Sequence, residues 1–168
     1  WLPLARVYGE QHGARSVFRR NMVPDNAGAT TVQAVENALE RAVGALGPGD
    51  GLFLVYNGHG SFDGGDRSRN VLRRWGEAGL DVQRFAALLE GARADATVRF
   101  FLPQCFSGAF SRSILAQPGS PVLRDVARNR CGFVAVPDYQ ESEGCTPGVD
   151  VGEYRDYSTF YFAALAGR

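Results

Sequence analysis

Two successive segments of this chain repeat one pattern: an amphipathic helix, then at once a short apolar strand, then a polar turn containing glycine. In the first, Val32, Val35, Leu39, Val43 and Leu46 recur at steps of three and four, which places them on one face of a helix over 30–46. Thr30 or Thr31 can cap its start, and Gly47-Pro48-Gly49 stops it. The run 52–56 is continuously apolar, the mark of a strand buried on both faces, and Asn57-Gly58-His59-Gly60 turns the chain. In the second, Asp81 caps a helix with Val82, Phe85, Leu88 and Leu89 on one face and Gly91 near its end. A strand over 98–102 follows, and Gln104-Cys105-Phe106-Ser107-Gly108 is its turn. A third strand over 132–136, a helix over 157–165 and a less marked early strand around 16–20 complete the reading. Helices alternating with buried strands predict an α/β fold with a mainly parallel sheet. With no repeat, heptad pattern or linker, 1–168 reads as one domain.

In sheets of this kind, ligands and chemistry gather beyond the carboxyl ends of the strands, where both unusual turns lie. His59 is one of only two histidines, and its flanking glycines let the backbone come close to a substrate. Cys105 holds the same position one helix-strand cycle later. A thiolate attacks an amide carbonyl well, and an imidazole can take the thiol proton and return it to the leaving amine. The N–H groups of Gly60 and Cys105 are suited to receive the oxyanion. Taken singly, a cysteine at a strand end is more often a small buried hydrophobe, and a lone histidine a hydrogen-bonded structural residue. The joint pattern is what favours chemistry.

Tyr56-Asn57-Gly58-His59-Gly60 and Gln104-Cys105-Phe106-Ser107-Gly108 resemble the His-Gly and Cys-Ser-Gly blocks of the caspase-like cysteine peptidases, the clan of caspases, metacaspases, legumains and gingipains. The interval from His59 to Cys105 is 46 residues, close to the roughly 50 that separate the two blocks in caspases. Gln140-Glu141-Ser142-Glu143 and the stretch 158–165 are similar to the segments after the next strand in legumain-like members. The likeness runs from about residue 30 to the end of the sequence. It implies a three-layer caspase-hemoglobinase-like sandwich and a bacterial endopeptidase in which Cys105 is the nucleophile and His59 the general base and acid. By the same resemblance, Gly60 and Cys105 supply the oxyanion hole, and the chemistry needs no metal or other cofactor. The substrate would be a protein or peptide, with sensor or pro-domains outside this chain. Pro103 stands two before the nucleophile, where metacaspases and legumains carry an acid.

The chain is neutral overall, eighteen arginines against eighteen acids, so nucleic acid is not an expected partner. All of the basic residues are arginine, the coding bias of a GC-rich genome. The charge is uneven: over 132–156 six acids face one arginine. By the resemblance, loops here help to wall the S1 pocket, which makes Asp138, Glu141, Ser142 and Asp150 candidates for receiving a basic P1 side chain; an ordinary solvated acidic loop is the plainer alternative. After His59, Asp63 and Asp66 lie in a Gly-rich loop and are weak candidates for the Ca²⁺ that activates some metacaspase-like enzymes, although they offer too few oxygens for a full site. Arg67, Arg69, Arg73 and Arg74 then suggest an exposed loop open to self-cleavage. Cys131 and Cys145 are expected as free buried thiols rather than a disulfide, and His12 as a surface residue. No apolar run approaches the roughly 20 residues of a membrane span. A first residue of Trp1 suggests a processed or excised piece, with an N-terminal strand or flanking region missing unless residues 4–8 supply it. The compartment stays open, the cytoplasm being favoured over secretion. Two rival readings remain: a caspase-like regulatory or interaction module without turnover, and a flavodoxin-like small-molecule binder, for which no Gly-x-x-x-x-Gly-Lys phosphate loop is present.

Overall fold

The computed structural model describes residues 25–26, 28–62, 64–74, 79–114, 129–143 and 156–168. They fall into two compact units, one of them Ala29–Ser142, the other contributing 25–26, 28, 143 and 156–168 to the description. The expected strands around 4–8 and 16–20, together with His12 and Cys145, lie outside the described residues.

In the larger unit, helix α1 spans Val32–Gly44 and is capped by Thr31, whose side chain accepts from the Ala34 N–H at 3.2 Å. Strand β1, Gly51–Val55, follows directly. The chain then forms a small antiparallel sheet of β2 (Gly60–Ser61), β3 (Val71–Arg73) and β4 (Gly79–Asp81). Helix α2, Val82–Glu90, is capped by Asp81. It leads into β5, Thr97–Leu102, and a 3-10 segment, Ser107–Ile114, precedes β6, Arg130–Val134. β1, β5 and β6 make a parallel sheet in the order β1-β5-β6, with Val55 opposite Phe101 and Leu102 opposite Val134. The α/β class with a parallel sheet is therefore what the sequence pattern predicts, and Asp81 and Thr31 cap as expected.

The core lies on one face of the parallel sheet. Phe85 of α2 meets Phe100 of β5 and Phe110 of the 3-10 segment edge-on, with ring centroids 5.7 and 5.5 Å apart, the geometry that the ring quadrupole favours. Leu72 and Leu80 carry the small sheet into the same core. The other face differs from the expectation for β1. Its burial alternates, and Phe53 and Val55 are 47% and 50% exposed, as is Phe133 of β6 at 52%. A continuous apolar run thus gives no information on which of its two faces the packing covers.

The third strand begins and ends two residues earlier than predicted. Val98 donates to the Asn129 carbonyl at 2.8 Å, which brings Arg130 into register, and at the other end the Ala135 N–H is shared between the Leu102 carbonyl at 3.3 Å and the Ser107 hydroxyl at 3.0 Å, with the Val136 N–H on the same hydroxyl at 3.4 Å. Cys131, expected to be buried, is free and exposed on β6.

In the second unit, helix α3, Tyr157–Leu165, matches its predicted span and starts at Asp156, whose carboxylate accepts from the Thr159 N–H at 2.8 Å. It is apolar on all sides and exposes Phe160, Phe162 and Leu165. No helix among the described residues is long and apolar enough to cross a membrane.

Gly132 lies opposite Phe100 in the β5–β6 ladder, and a Cβ there would overlap the Phe100 ring, which is itself held edge-on by Phe85. Gly132→Ala is expected to cost about 1–3 kcal/mol and to lower the melting temperature by roughly 5–10 °C. A thermal melt coincident with the wild type would refute this packing.

Candidate active site

The two predicted turns sit side by side because β1 and β5 are parallel neighbours. Tyr56 extends β1 by donating its N–H to the Phe101 carbonyl at 3.1 Å. Its side chain folds back beneath the turn, close enough to Gly58 that a Cβ on that residue would strike the phenol. The hydroxyl lies 2.8 Å from the His59 carbonyl and 2.6 Å from the Arg73 carbonyl, so its one proton is shared between two acceptors. Burial holds this phenol above its usual range, against the pull of the Arg74 guanidinium stacked 4.5 Å over the ring, so Tyr56 stays a neutral donor. His59 is exposed at the tip of the turn.

Arg73 donates its N–H to the His59 carbonyl at 2.8 Å. With Gly60 opposite Leu72, this makes the pair the non-hydrogen-bonded kind, so the Gly60 N–H points away from β3. The Gly60 N–H is thus not used in this ladder. Gly60 also lies directly against the Cys105 carbonyl, with the Gln104 side chain beside it, and a Cβ would fall inside that carbonyl oxygen. This contact brings the residue after His59 onto the backbone of Cys105.

Beyond Leu102, the Cys105 turn is largely interior, with Gln104, Cys105 and Ser107 buried. Cys105 is 5% exposed, and Gln104 is buried with both ends of its amide unpartnered. Phe106 adopts a left-handed φ of 58°, a conformation that non-glycine residues rarely take. It is held by its N–H on the Gln140 carbonyl at 2.8 Å and by stacking on Phe62 at 5.5 Å. Gly108 is needed because the backbone from Val136 to Asp138 passes within 2.7 Å of where a Cβ would stand. The chain after β6 is therefore pressed onto the Cys105 turn, and it delivers Ser142, 7% exposed, to the sulfur. The Ser142 N–H donates to Cys105 Sγ at 3.4 Å, and the Ser142 hydroxyl stands 3.8 Å from it.

The other candidates are placed as follows. Asp138 is paired with Arg67, whose guanidinium nitrogen lies 3.0 and 3.2 Å from its two oxygens. Its backbone carbonyl accepts from the Asn70 amide at 2.7 Å. Glu141 is exposed beside Ser142. Asp150 and Asp63 lie outside the described residues. Asp66 caps the short 3-10 turn Arg67–Arg69, and hydrogen bonds from the Ser68 hydroxyl and N–H hold its carboxyl below the usual range. Among the described residues no group of three or more His, Cys, Asp or Glu could hold a metal ion. The arginine-rich stretch, expected as an open loop, is instead a 3-10 turn and a hairpin strand with Leu72 in the core and Arg67 tied to Asp138.

The contacts that Tyr56, Arg67, Asn70, Gln104 and Ser107 make here are not foreshadowed in the sequence, where Arg67 suggests a cleavage loop and Tyr56, Gln104 and Ser107 only flank the two motif residues. A Tyr three before His59 and a Ser two after Cys105 are visible in the sequence, but their partners are carbonyls and amides that only the fold supplies. On the His59 side, a cavity of ≈ 690 Å³ is lined by apolar Leu39, Leu54, Leu72 and Phe85 as well as Tyr56, His59 and Arg74.

No protein-family model matches this chain, and no curated protein does. Among solved structures, protein GSU0716 from Geobacter sulfurreducens is similar at 29% identity and a TM-score of 0.38, over 46% of this chain and 31% of that one. The chain thus spans about a third of the length of that protein.

The Gly60–Cys105 approach makes a simple comparison. Gly60→Ala is expected to destabilise the protein by about 1–3 kcal/mol, whereas Gly65→Ala, where a Cβ meets open space, leaves the melting temperature within error. Equal melting of the two variants would show that the strand ends are not in contact.

Proposed function

We propose that the protein is a caspase-like cysteine endopeptidase acting through Cys105 and His59. The observation that carries the reading is the seating of Gly60 on the Cys105 carbonyl, which puts a histidine and a cysteine at the carboxyl ends of adjacent parallel strands. The three-layer arrangement of the caspase-like fold belongs to the same proposal.

In this reaction the His59 imidazole takes the thiol proton of Cys105, and the sulfur bonds to the scissile carbonyl carbon. The C=O π pair moves onto oxygen, where the Gly60 and Cys105 N–H groups receive it. Collapse breaks the C–N bond, and the leaving amine takes the proton from His59, which leaves a thioester. Water, deprotonated by His59, then attacks the thioester; the acid departs and the Cys105 thiol is restored. Every step is proton and acyl transfer among these residues, the substrate and water.

A basic P1 side chain is the proposed preference, since the segment after β6 is acidic. Asp138 is neutralised by Arg67, so Glu141, exposed beside Ser142, is the carboxylate best placed to take part. A module without turnover is the second reading, favoured by the near-complete burial of Cys105.

A P1-scanning peptide library separates the two. Cleavage after Arg or Lys is expected in the wild type, with Cys105→Ala and His59→Ala each lower by at least about a thousandfold. Turnover that persists in Cys105→Ala would assign the activity elsewhere, and no turnover on any peptide would favour the silent module.

A further inference from the structure

We propose that Ser142 is a catalytic residue that holds the Cys105 thiolate, by a contact that serves both charge states of the sulfur. The inference deepens the cysteine peptidase reading and rests on it for its purpose, though its geometry stands apart from His59.

Two groups of one residue meet Sγ. The backbone N–H, at 3.4 Å, can only donate, so it favours the anionic sulfur. The hydroxyl, at 3.8 Å, can do either. It accepts from the S–H of the thiol and rotates to donate its own proton to the thiolate. No proton is transferred to or from Ser142, and only the direction of the hydrogen bond reverses. For a sulfur that is 5% exposed this matters, because burial disfavours the charged form unless donors replace the lost water.

The contact is built into the fold. Ser107 Oγ accepts from the N–H groups of Ala135 and Val136, Phe106 donates to the Gln140 carbonyl, and Asn70 donates to the Asp138 carbonyl. These bonds fix the chain on both sides of the sulfur's turn and bring Ser142 to it from a segment 37 residues away in sequence. The oxygen and the N–H come from the chain after β6, whereas the imidazole comes from the turn after β1. Sulfur ionisation and proton removal are thus handled by separate elements.

Iodoacetamide alkylation of Cys105 tests this, followed by peptide mass mapping so that exposed Cys131 does not contribute. In Ser142→Ala the rate at pH 7 is expected to fall about tenfold, with the rate at about pH 10.5, above the ordinary thiol range, unchanged. Ser142→Thr, which keeps the hydroxyl, should recover most of the loss at pH 7. Equal rates in Ser142→Ala and wild type at both pH values overturn the proposal, and so does an equal loss at both, which would mean altered access only. His59→Ala is the independent arm. If it slows alkylation while Ser142→Ala does not, the inference fails and the peptidase reading stands. If Ser142→Ala alone slows it at pH 7, Ser142 holds the thiolate and the His59 dyad fails.

Discussion

The carboxyl end of the parallel sheet depends on one clamp, the pressing of the chain after β6 onto the turn after β5. It is made by a serine hydroxyl, Ser107 Oγ, that accepts from the Ala135 N–H, which also reaches the Leu102 carbonyl at 3.3 Å as the last bond to β5, and from the Val136 N–H beyond it. Regular strand β6 ends at Val134. The chain leans over Gly108, and a side chain there would meet backbone rather than space. Phe106 keeps a left-handed conformation, worth of order 1–3 kcal/mol of strain, and the Gln140 hydrogen bond and the Phe62 ring over-determine it. Strain retained in this way, next to the proposed nucleophile, is what a preorganised turn requires.

A second support comes from the small antiparallel sheet, which the β1 turn would otherwise lack. Tyr56 and the Arg73 N–H both act on the His59 carbonyl, so the backbone of the histidine is held from below and from the side while its ring projects to solvent. Asn70, fully buried, and Arg67 then tie this sheet to Asp138 in the segment after β6. The Arg67–Asp138 pair is half open to solvent and contributes little on its own. Its larger consequence is electrostatic, since it offsets one negative charge of the acidic stretch and leaves Glu141 and Glu143 as the exposed carboxylates on either side of Ser142 in sequence.

The legible part of this fold is the part governed by local periodicity. Helix α1, its Thr31 cap, the Asp81 cap of α2 and helix α3 follow from spacing and from hydroxyl or carboxylate groups that need only neighbours three residues on. The strands β1 and β5 follow from apolar runs. The small sheet was not legible: β2 and β4 are two and three residues long, too short for alternation to register, and their pairing comes from Leu72 and Leu80 entering a distant core. The same limit applies to the site. His59 and Cys105 stand out by residue type and by position after strands. Ser142, in contrast, was visible only as part of a resembling block, because its relation to the sulfur crosses two turns and a strand.

Burial differs sharply across the site, with Cys105 interior and His59 exposed, and this asymmetry bears on which step each residue can serve in the proposed reaction. A sulfur on a residue 5% exposed and met by the Ser142 N–H and hydroxyl has little water around it, so its charge must be met by fixed donors that need no reorganisation when the bond to carbon forms. The imidazole has the opposite requirement. It must give its proton to an amine that leaves and then take one from water that arrives, and both travel through solvent. Placing the acid and base on an exposed glycine-flanked turn and the nucleophile under a clamp satisfies the two requirements with one pair of adjacent parallel strands.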